Sequence, residues 1–242
     1  MRQGECDPAL VEELTSRDNP LRSTPPLYGK LQGFYPARWL THDEAYGSLL
    51  GTCDRSSDVG CRDELVLRLG LAGMRVAEII RLTIGDLRLG PEPTIEWIGK
   101  RNRPRKVAIG PALFELVDDY MSRYSNGLGR PLEPSDPVVC RQKTGGGVGL
   151  ISWGRPFKTP ASVARLVGLR AEEAGLGHMS PHDSRRTAAG ILHRAVSEDG
   201  AHYFDLLDIQ KVLGHANPAT TMRSYIVPLD TGVIRRAAQV LD

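Results

Sequence analysis

The stretch "CRDELVLRLGLAGM", beginning at Cys61, constrains this chain more than any other. Leu65, Leu67, Leu69 and Leu71 are so dense that a helix carrying them must lie deep in a core. Gly73 then permits a tight passage into "RVAEIIRLTIGDL", predicted as a further helix with Val76, Ile79 and Ile80 facing inward. A buried helix needs other elements around it, and the flanking sequence supplies them. In "LTHDEAYGSLLGTC", Thr41 makes a good N-cap and Glu44 completes a capping box. Ala45, Leu49 and Leu50 offer its apolar face. "PALFELVDDYMSRY" sets Leu113, Leu116, Val117 and Tyr120 on one helical stripe.

Strand signals are sparse. "TIEWIG" and "KVAIG" alternate as strands do, with "KRNRP" between them as a hairpin turn. "CRQKTGGGVGLISWGR" is polar and glycine-rich and is expected to be a loop. Three helices follow, in "TPASVARLVGLRAEEAG", "SPHDSRRTAAGILHRAV" and "LLDIQKVLG", and a short amphipathic one closes the chain in "DTGVIRRAAQVLD". The expected fold class is mainly α with a small antiparallel β-hairpin or sheet. Residues 1–39 are rich in Pro, Gly and polar side chains and are expected to be a linker or flexible tail, with one short helix at residues 8–16.

Composition excludes several classes. Hydrophobic residues make up 40% of the 242, enough for an ordinary core. Cys6, Cys53, Cys61 and Cys140 show neither C-x-x-C spacing nor the density of a disulfide scaffold. They are expected to be reduced thiols in the cytoplasm. No apolar run approaches the roughly 20 residues that span a bilayer, and no signal-peptide core opens the chain. Net charge is only +2, yet "KRNRPRK" holds five basic residues in seven and no acid. Alone, such a run is more often a solvated turn.

Some residues stand where chemistry is feasible. Arg75 follows Gly73 at a helix start, where a cation opposes the helix dipole unless an anion is bound there. In "SPHDSRRTAAG", Ser180 caps, Pro181 takes the first helical position, and His182 and Arg185 share one face. Arg186 falls on another face and is expected to be structural or superficial. His215 sits at a corner between "VLG" and the turn-forming Asn217–Pro218. No H-E-x-x-H or carboxylate–histidine spacing suggests a metal site, and no cofactor is expected.

In order, these segments resemble the catalytic domain of the tyrosine recombinases, the phage integrase family, over roughly residues 40–230. "GLAGMRVAEIIRLTIGDL" is similar to the first arginine box, which implies Arg75 as a catalytic arginine supported by Glu78. "IGKRNRPRKVAI" resembles the family's hairpin, with Lys100 as catalytic lysine. "SPHDSRRTAAG" resembles the H-x-x-R box of His182 and Arg185, and "VLGHANPATTMRSY" the closing box of His215 and a tyrosine nucleophile, Tyr225. The resemblance implies a DNA breaking-rejoining fold and a site-specific recombinase or integrase working through a 3′-phosphotyrosine. Its implied partners are double-stranded DNA, a homo-oligomer (a tetramer on DNA) and accessory DNA-bending proteins, with no membrane.

The residue types suit that chemistry. Arginines give bidentate, fixed-charge donors to phosphate oxygens. Histidines donate to them or move the nucleophile's proton, and a lysine protonates the leaving 5′-oxygen. The phosphotyrosine ester stores the bond energy, so rejoining needs neither ATP nor metal. Arg101, Arg103, Arg105, Lys106, Arg141 and Arg155 are expected to meet phosphates. Two further readings fit the same residues: a catalytically impaired DNA-binding relative, and an enzyme acting like a type IB topoisomerase.

Two features depart from the family pattern. The tyrosine usually lies nine residues after the second histidine; here that position is Ser224, and Tyr225 is tenth. An extra residue rotates a helical side chain by about 100°, unless the turn in "HANPATT" absorbs it. Only about 39 residues precede the catalytic segment, too few for the family's helical core-binding domain. The chain is thus expected to be a catalytic fragment or a minimal form. Residues 40–228 are expected to be the catalytic domain. Residues 229–242 are expected to form a helix whose Val233, Ile234, Ala237 and Val240 dock on a neighbouring protomer or pack on their own domain.

Overall fold

Leucines at alternate positions of a helix point all round its axis, so such a helix needs neighbours on every side. In the computed structural model, helix α2 (Asp58–Leu71) meets that demand, and its residues from Gly60 to Leu71 are buried apart from Arg68. It packs against α3 (Val76–Arg81), α4 (Pro111–Leu128), α5 (Pro160–Glu173) and α6 (Pro181–Arg194). The first helix, α1 (Asp43–Leu49), is wound as a π-helix, and α7 (Leu206–Leu213) is the last. The structure describes residues 39–99, 104–143, 150–198 and 200–214. The expected helices at 8–16 and in the last fourteen residues, the hairpin turn at 100–103, and His215 and Tyr225 lie outside them.

Local signals place several helix starts where expected. The Thr41 amide donates to Glu44 Oε2 at 2.8 Å, and the Glu44 amide to Thr41 Oγ1 at 3.2 Å. Ala45, Leu49 and Leu50 are buried beneath this capping box. The Leu40 amide donates to Thr187 Oγ1 on α6 at 2.9 Å, fastening the beginning of the described fold to a helix far along the chain.

Elsewhere the structure corrects the sequence reading. The helix after Gly73 is short: α3 stops at Arg81, and Leu82 is extended. A capping box between Thr83 and Asp86 starts a 3-10 turn, and strand β1 (Leu87–Arg88) follows. The reason is non-local. Val138 N–H donates to Leu82 O at 2.9 Å, and Ile84 N–H to Asp136 O at 2.8 Å, so sheet-like pairing replaces the helical bonds. β1, β2 (Thr94–Ile98) and β3 (Pro104–Ala108) form an antiparallel sheet in that order, with Trp97 opposite Arg105 and Glu96 opposite Lys106. The segment expected to be a loop contains a second hairpin, β4 (Cys140–Gln142) with β5 (Ile151–Pro156). Trp153 on β5 lies over the buried rings of Tyr124 and Tyr120, at 5.2 and 5.6 Å between centroids. Among the described residues no helix is long and apolar enough to cross a membrane.

The core also contains charges. Arg62, Asp63 and Glu64 are consecutive on α2, and each is at most 5% exposed. Asp63 accepts from Arg62 Nε at 2.6 Å through one oxygen and from Arg170 Nη2 of α5 at 2.8 Å through the other. Arg62 also donates to the Cys140 carbonyl of β4 at 3.1 Å. One carboxylate thereby joins α2, α5 and β4. Removing it in Asp63→Ala leaves the buried Arg62 without a carboxylate and Arg170 with Glu173 alone, and is expected to cost about 3–5 kcal/mol. Lys211→Ala, which breaks an exposed pair with Asp208, should change stability by less than about 1 kcal/mol. Urea unfolding midpoints of the two variants provide the comparison.

Candidate active site

The site begins where the buried helix ends. After α2 the chain turns through Gly73, whose φ of +86° is left-handed, and reaches Arg75 at the N-cap of α3. Glu78, one turn on and 8% exposed, holds Arg75 in two ways. Its Oε2 accepts from the Arg75 amide at 2.7 Å, and its Oε1 accepts from Arg75 Nη1 at 2.9 Å. The carboxylate answers the problem of a cation at a helix start, since a negative charge there is favourable to the dipole. It also orients the guanidinium through the bond to Nη1. Arg75 Nη2 donates onward to the carbonyl of Gly214 at 3.0 Å.

Helix α6 brings the second pair. Its first turn is locked by Asp183, whose carboxylate accepts from the Ser180 amide at 2.9 Å and hydroxyl at 2.6 Å. Asp183 also accepts from Arg186 at 2.8 Å, which ties Arg186 to the same turn. Arg185 is 5% exposed. It donates to the Gly73 carbonyl and, through Nη2, to the Leu213 carbonyl at 2.9 Å. His182 is exposed to solvent in the first turn, with its imidazole beside Arg185 and Arg186. Partial desolvation by the surrounding protein, then the charges of Arg186 and Arg185, hold its imidazole below the usual histidine range, so it is neutral near pH 7.

Both arginines therefore end on the last carbonyls of α7. A helix C-terminus leaves four carbonyls without intrahelical partners and carries partial negative charge. Here Leu213 O and Gly214 O receive Arg185 and Arg75. A third guanidinium arrives from β3: Arg105 Nη1 donates to Leu213 O at 2.7 Å and Nη2 to Val212 O at 2.9 Å. Arg105 was expected among the phosphate-facing residues of the basic run, but its side chain turns inward. Its guanidinium lies over the Trp97 ring, 5.2 Å from the centroid. The direction follows from strand alternation, because Arg105 and Val107 share the half-buried face while Pro104, Lys106 and Ala108 are exposed. That parity was a readable signal. Lys106 is exposed and pairs with Glu96 at 3.1 Å.

The structure thus gathers Arg75, Glu78 and Arg185 at one place and sets His182 in the first turn of the helix that carries Arg185. Lys100, Arg101, Arg103, His215 and Tyr225 lie outside the described residues, although His215 follows Gly214 directly in sequence. Sequence reasoning missed the carbonyl acceptors at Gly73 and 212–214, which have no side-chain signature. It also missed a basic cleft of about 710 Å³ between the second hairpin and α5, where Arg141 is joined by Lys143, Lys158 and Arg165. Arg155 is exposed on β5. Among the described residues no group of three His, Cys, Asp or Glu is placed to hold a metal ion.

Comparison with known proteins identifies the family and the fold. Residues 38–231 match the phage integrase family. Tyrosine recombinase XerD of Neisseria meningitidis serogroup B is 30% identical over 209 residues, 84% of this chain and 62% of that protein. XerD of Listeria innocua serovar 6a is 30% identical over 174 residues, 72% of this chain and 52% of that protein. This chain therefore spans between about half and three fifths of these curated relatives. Among solved structures, the XerH site-specific recombinase in a post-cleavage complex with palindromic difH substrate superposes with a TM-score of 0.63 at 24% identity, over 85% of this chain and 53% of that one. XerA recombinase gives 0.60 at 20% identity, over 85% and 65%. These likenesses show a common fold, the mainly helical one with small antiparallel sheets that the sequence led us to expect. The chain belongs to the phage integrase family.

Proposed function

We propose that this chain is the catalytic portion of a site-specific DNA recombinase or integrase that cuts and rejoins double-stranded DNA through a 3′-phosphotyrosine. The observation that carries the reading is the convergence of Arg75 and Arg185, from helices far apart in sequence, on the adjacent carbonyls of Leu213 and Gly214. Two guanidiniums fixed side by side match the two non-bridging oxygens of a phosphodiester. In the proposed step the Tyr225 hydroxyl oxygen attacks phosphorus and gives up its proton. The bond from phosphorus to the 5′-oxygen breaks, and Lys100 protonates that oxygen. Attack by a 5′-hydroxyl of another strand reverses the sequence and releases the tyrosine. Glu78 holds Arg75, while His182 and His215 serve the phosphate oxygens or the tyrosine proton.

Binding is assigned to Arg101, Arg103 and Lys106 on the first hairpin and to Arg141, Lys143, Lys158 and Arg165 around the basic cleft. Such contacts are sequence-neutral and salt-sensitive. The relatives of known structure include recombinases in complex with DNA, among them a lambda integrase dimer bound to a core site. For this chain we assign residues 40–228 to catalysis, residues 1–39 to a linker, and residues 229–242 to a helix that docks on a neighbour within a tetramer on DNA. DNA-bending accessory proteins complete that assembly, and the site of action is the cytoplasm.

Incubation with a duplex carrying a trapping nick should yield a covalent adduct whose DNA-linked peptide contains Tyr225, and Tyr225→Phe should abolish it. Salt-sensitive binding without an adduct, or a link at Ser224, would overturn the assignment. The pH dependence follows from His182. Its pKa lies below the free-histidine value of 6.5, so the neutral imidazole persists to lower pH and is lost as pH falls through that pKa. The second-order rate of adduct formation should therefore fall on the acid side with a midpoint below 6.5, and His182→Gln should lack that limb. A rate that rises on acidification would instead make His182 a charged donor. Finally, Arg141→Ala and Lys158→Ala should each reduce the slope of log affinity against log salt by about 1, measured by fluorescence anisotropy.

A further inference from the structure

Arg105 lies outside the set of residues that the family resemblance makes catalytic, yet it makes two hydrogen bonds to the end of α7. Its two bonds, to Leu213 O at 2.7 Å and Val212 O at 2.9 Å, use both arms of the guanidinium fork. The buried Trp97 ring supports its other side, and Trp97 is its register partner across β2 and β3. Gly214 shows how closely the two elements fit. It ends α7 at a φ of +61°, and a Cβ there would fall 1.8 Å from Arg105 Nη1. The helix therefore ends in a glycine both because the backbone turns left-handed and because the guanidinium passes over it.

We propose that Arg105 is a positioning residue, tying the first hairpin to the C-terminal end of α7 and thereby fixing the carbonyls on which Arg75 and Arg185 are seated. The consequence follows from shared acceptors. Leu213 O serves Arg105 and Arg185 together, and Gly214 O, one peptide further on, serves Arg75. A displacement of this helix end moves both arginines' anchors at once, and with them the backbone leading into residue 215. Because Lys100 lies in the sequence that joins β2 to β3, the same bonds link the frame of this strand pair to that of the arginines. Lysine is no substitute, since one ammonium cannot present two fixed, coplanar arms.

This inference rests on the recombinase reading only for its effect on cleavage, and the experiment separates the two. In Arg105→Ala, amide hydrogen exchange across residues 206–214 should quicken at least about 10-fold, whether or not the chain cuts DNA. Single-turnover cleavage at saturating DNA should fall by about 10- to 100-fold, the scale of a roughly 1 Å misplacement. DNA affinity and its salt slope should stay unchanged. Arg105→Lys, which keeps the charge and guards against a folding failure in the alanine variant, should also exchange fast and cleave slowly. Loss of affinity with a salt slope reduced by about 1 and unchanged exchange would overturn the proposal, placing Arg105 on a phosphate. Fast exchange in a protein whose wild type forms no adduct would leave the clamp standing and remove the recombinase reading.

Discussion

Everything placed in the candidate site depends on the carbonyl end of one eight-residue helix. Three arginines from α3, β3 and α6 converge on residues 212–214 of α7. Three guanidiniums close together repel one another, and in a half-buried setting that repulsion is screened less than in water. The free carbonyls of the helix end and the Glu78 carboxylate offset it. Each arginine also acts as a strut between two acceptors: Arg75 between Glu78 and Gly214, Arg185 between Gly73 and Leu213, Arg105 between Val212 and Leu213. A bond between a charged donor and a carbonyl contributes roughly 1.5–3 kcal/mol, so the cluster holds these segments together as well as collecting charge.

The cluster would be useless on a yielding frame. Helix α2 provides the stiffness, because it is buried on all sides and leads straight through Gly73 to Arg75. Its charged residues strengthen this frame. Asp63 ties α2 to α5 through Arg170, and Arg62 reaches the β4 backbone at Cys140. Glu64 accepts from Arg55 on both oxygens and from Arg68 on Oε1, so the third buried charge is also paired. Helix α6 is fixed at its start by the Ser180–Asp183 box and along its length by the Thr187 bond to Leu40. The two proposed phosphate ligands thus sit on helices packed directly against each other's support.

Much of this frame was legible in the sequence because it depends on local signals. Leucine density marked α2, the Thr41–Glu44 box marked α1, and the Ser180-Pro181 start marked α6. The failures lie in backbone pairing. α3 ends early because Leu82 pairs with Val138, far along the chain, and β4 and β5 pair locally as a hairpin, Gln142 with Ile151, across a glycine-rich connector. Short strands supply too little alternation to reveal such pairing, and a glycine-rich connector resembles a loop. Arg105 failed differently. Grouping it with Lys100, Arg101, Arg103 and Lys106 treated a basic run as one surface, whereas a strand sends neighbours to opposite faces. Counting by twos from Val107 puts Arg105 inward and Lys106 outward.

This arrangement also explains why arginines anchored on backbone carbonyls suit the proposed chemistry. A guanidinium has five N–H donors. Arg75 spends one from Nη1 on Glu78 and one from Nη2 on Gly214, while about a third of its side chain remains accessible. The bonds to protein therefore set the plane and direction of the fork without exhausting it. A phosphodiester arriving at Arg75 meets donors already oriented, so little reorganisation is needed as charge develops on its oxygens. A lysine in that place would have to give up its water and choose a direction at the same moment. The carbonyls at the end of α7 do for the arginines what a rigid loop of amides does for a phosphate in other sites: they settle the geometry before the substrate arrives. Because the chain continues from those carbonyls directly into His215, the position of the phosphate ligands and the path toward Tyr225 start from the same three peptide groups.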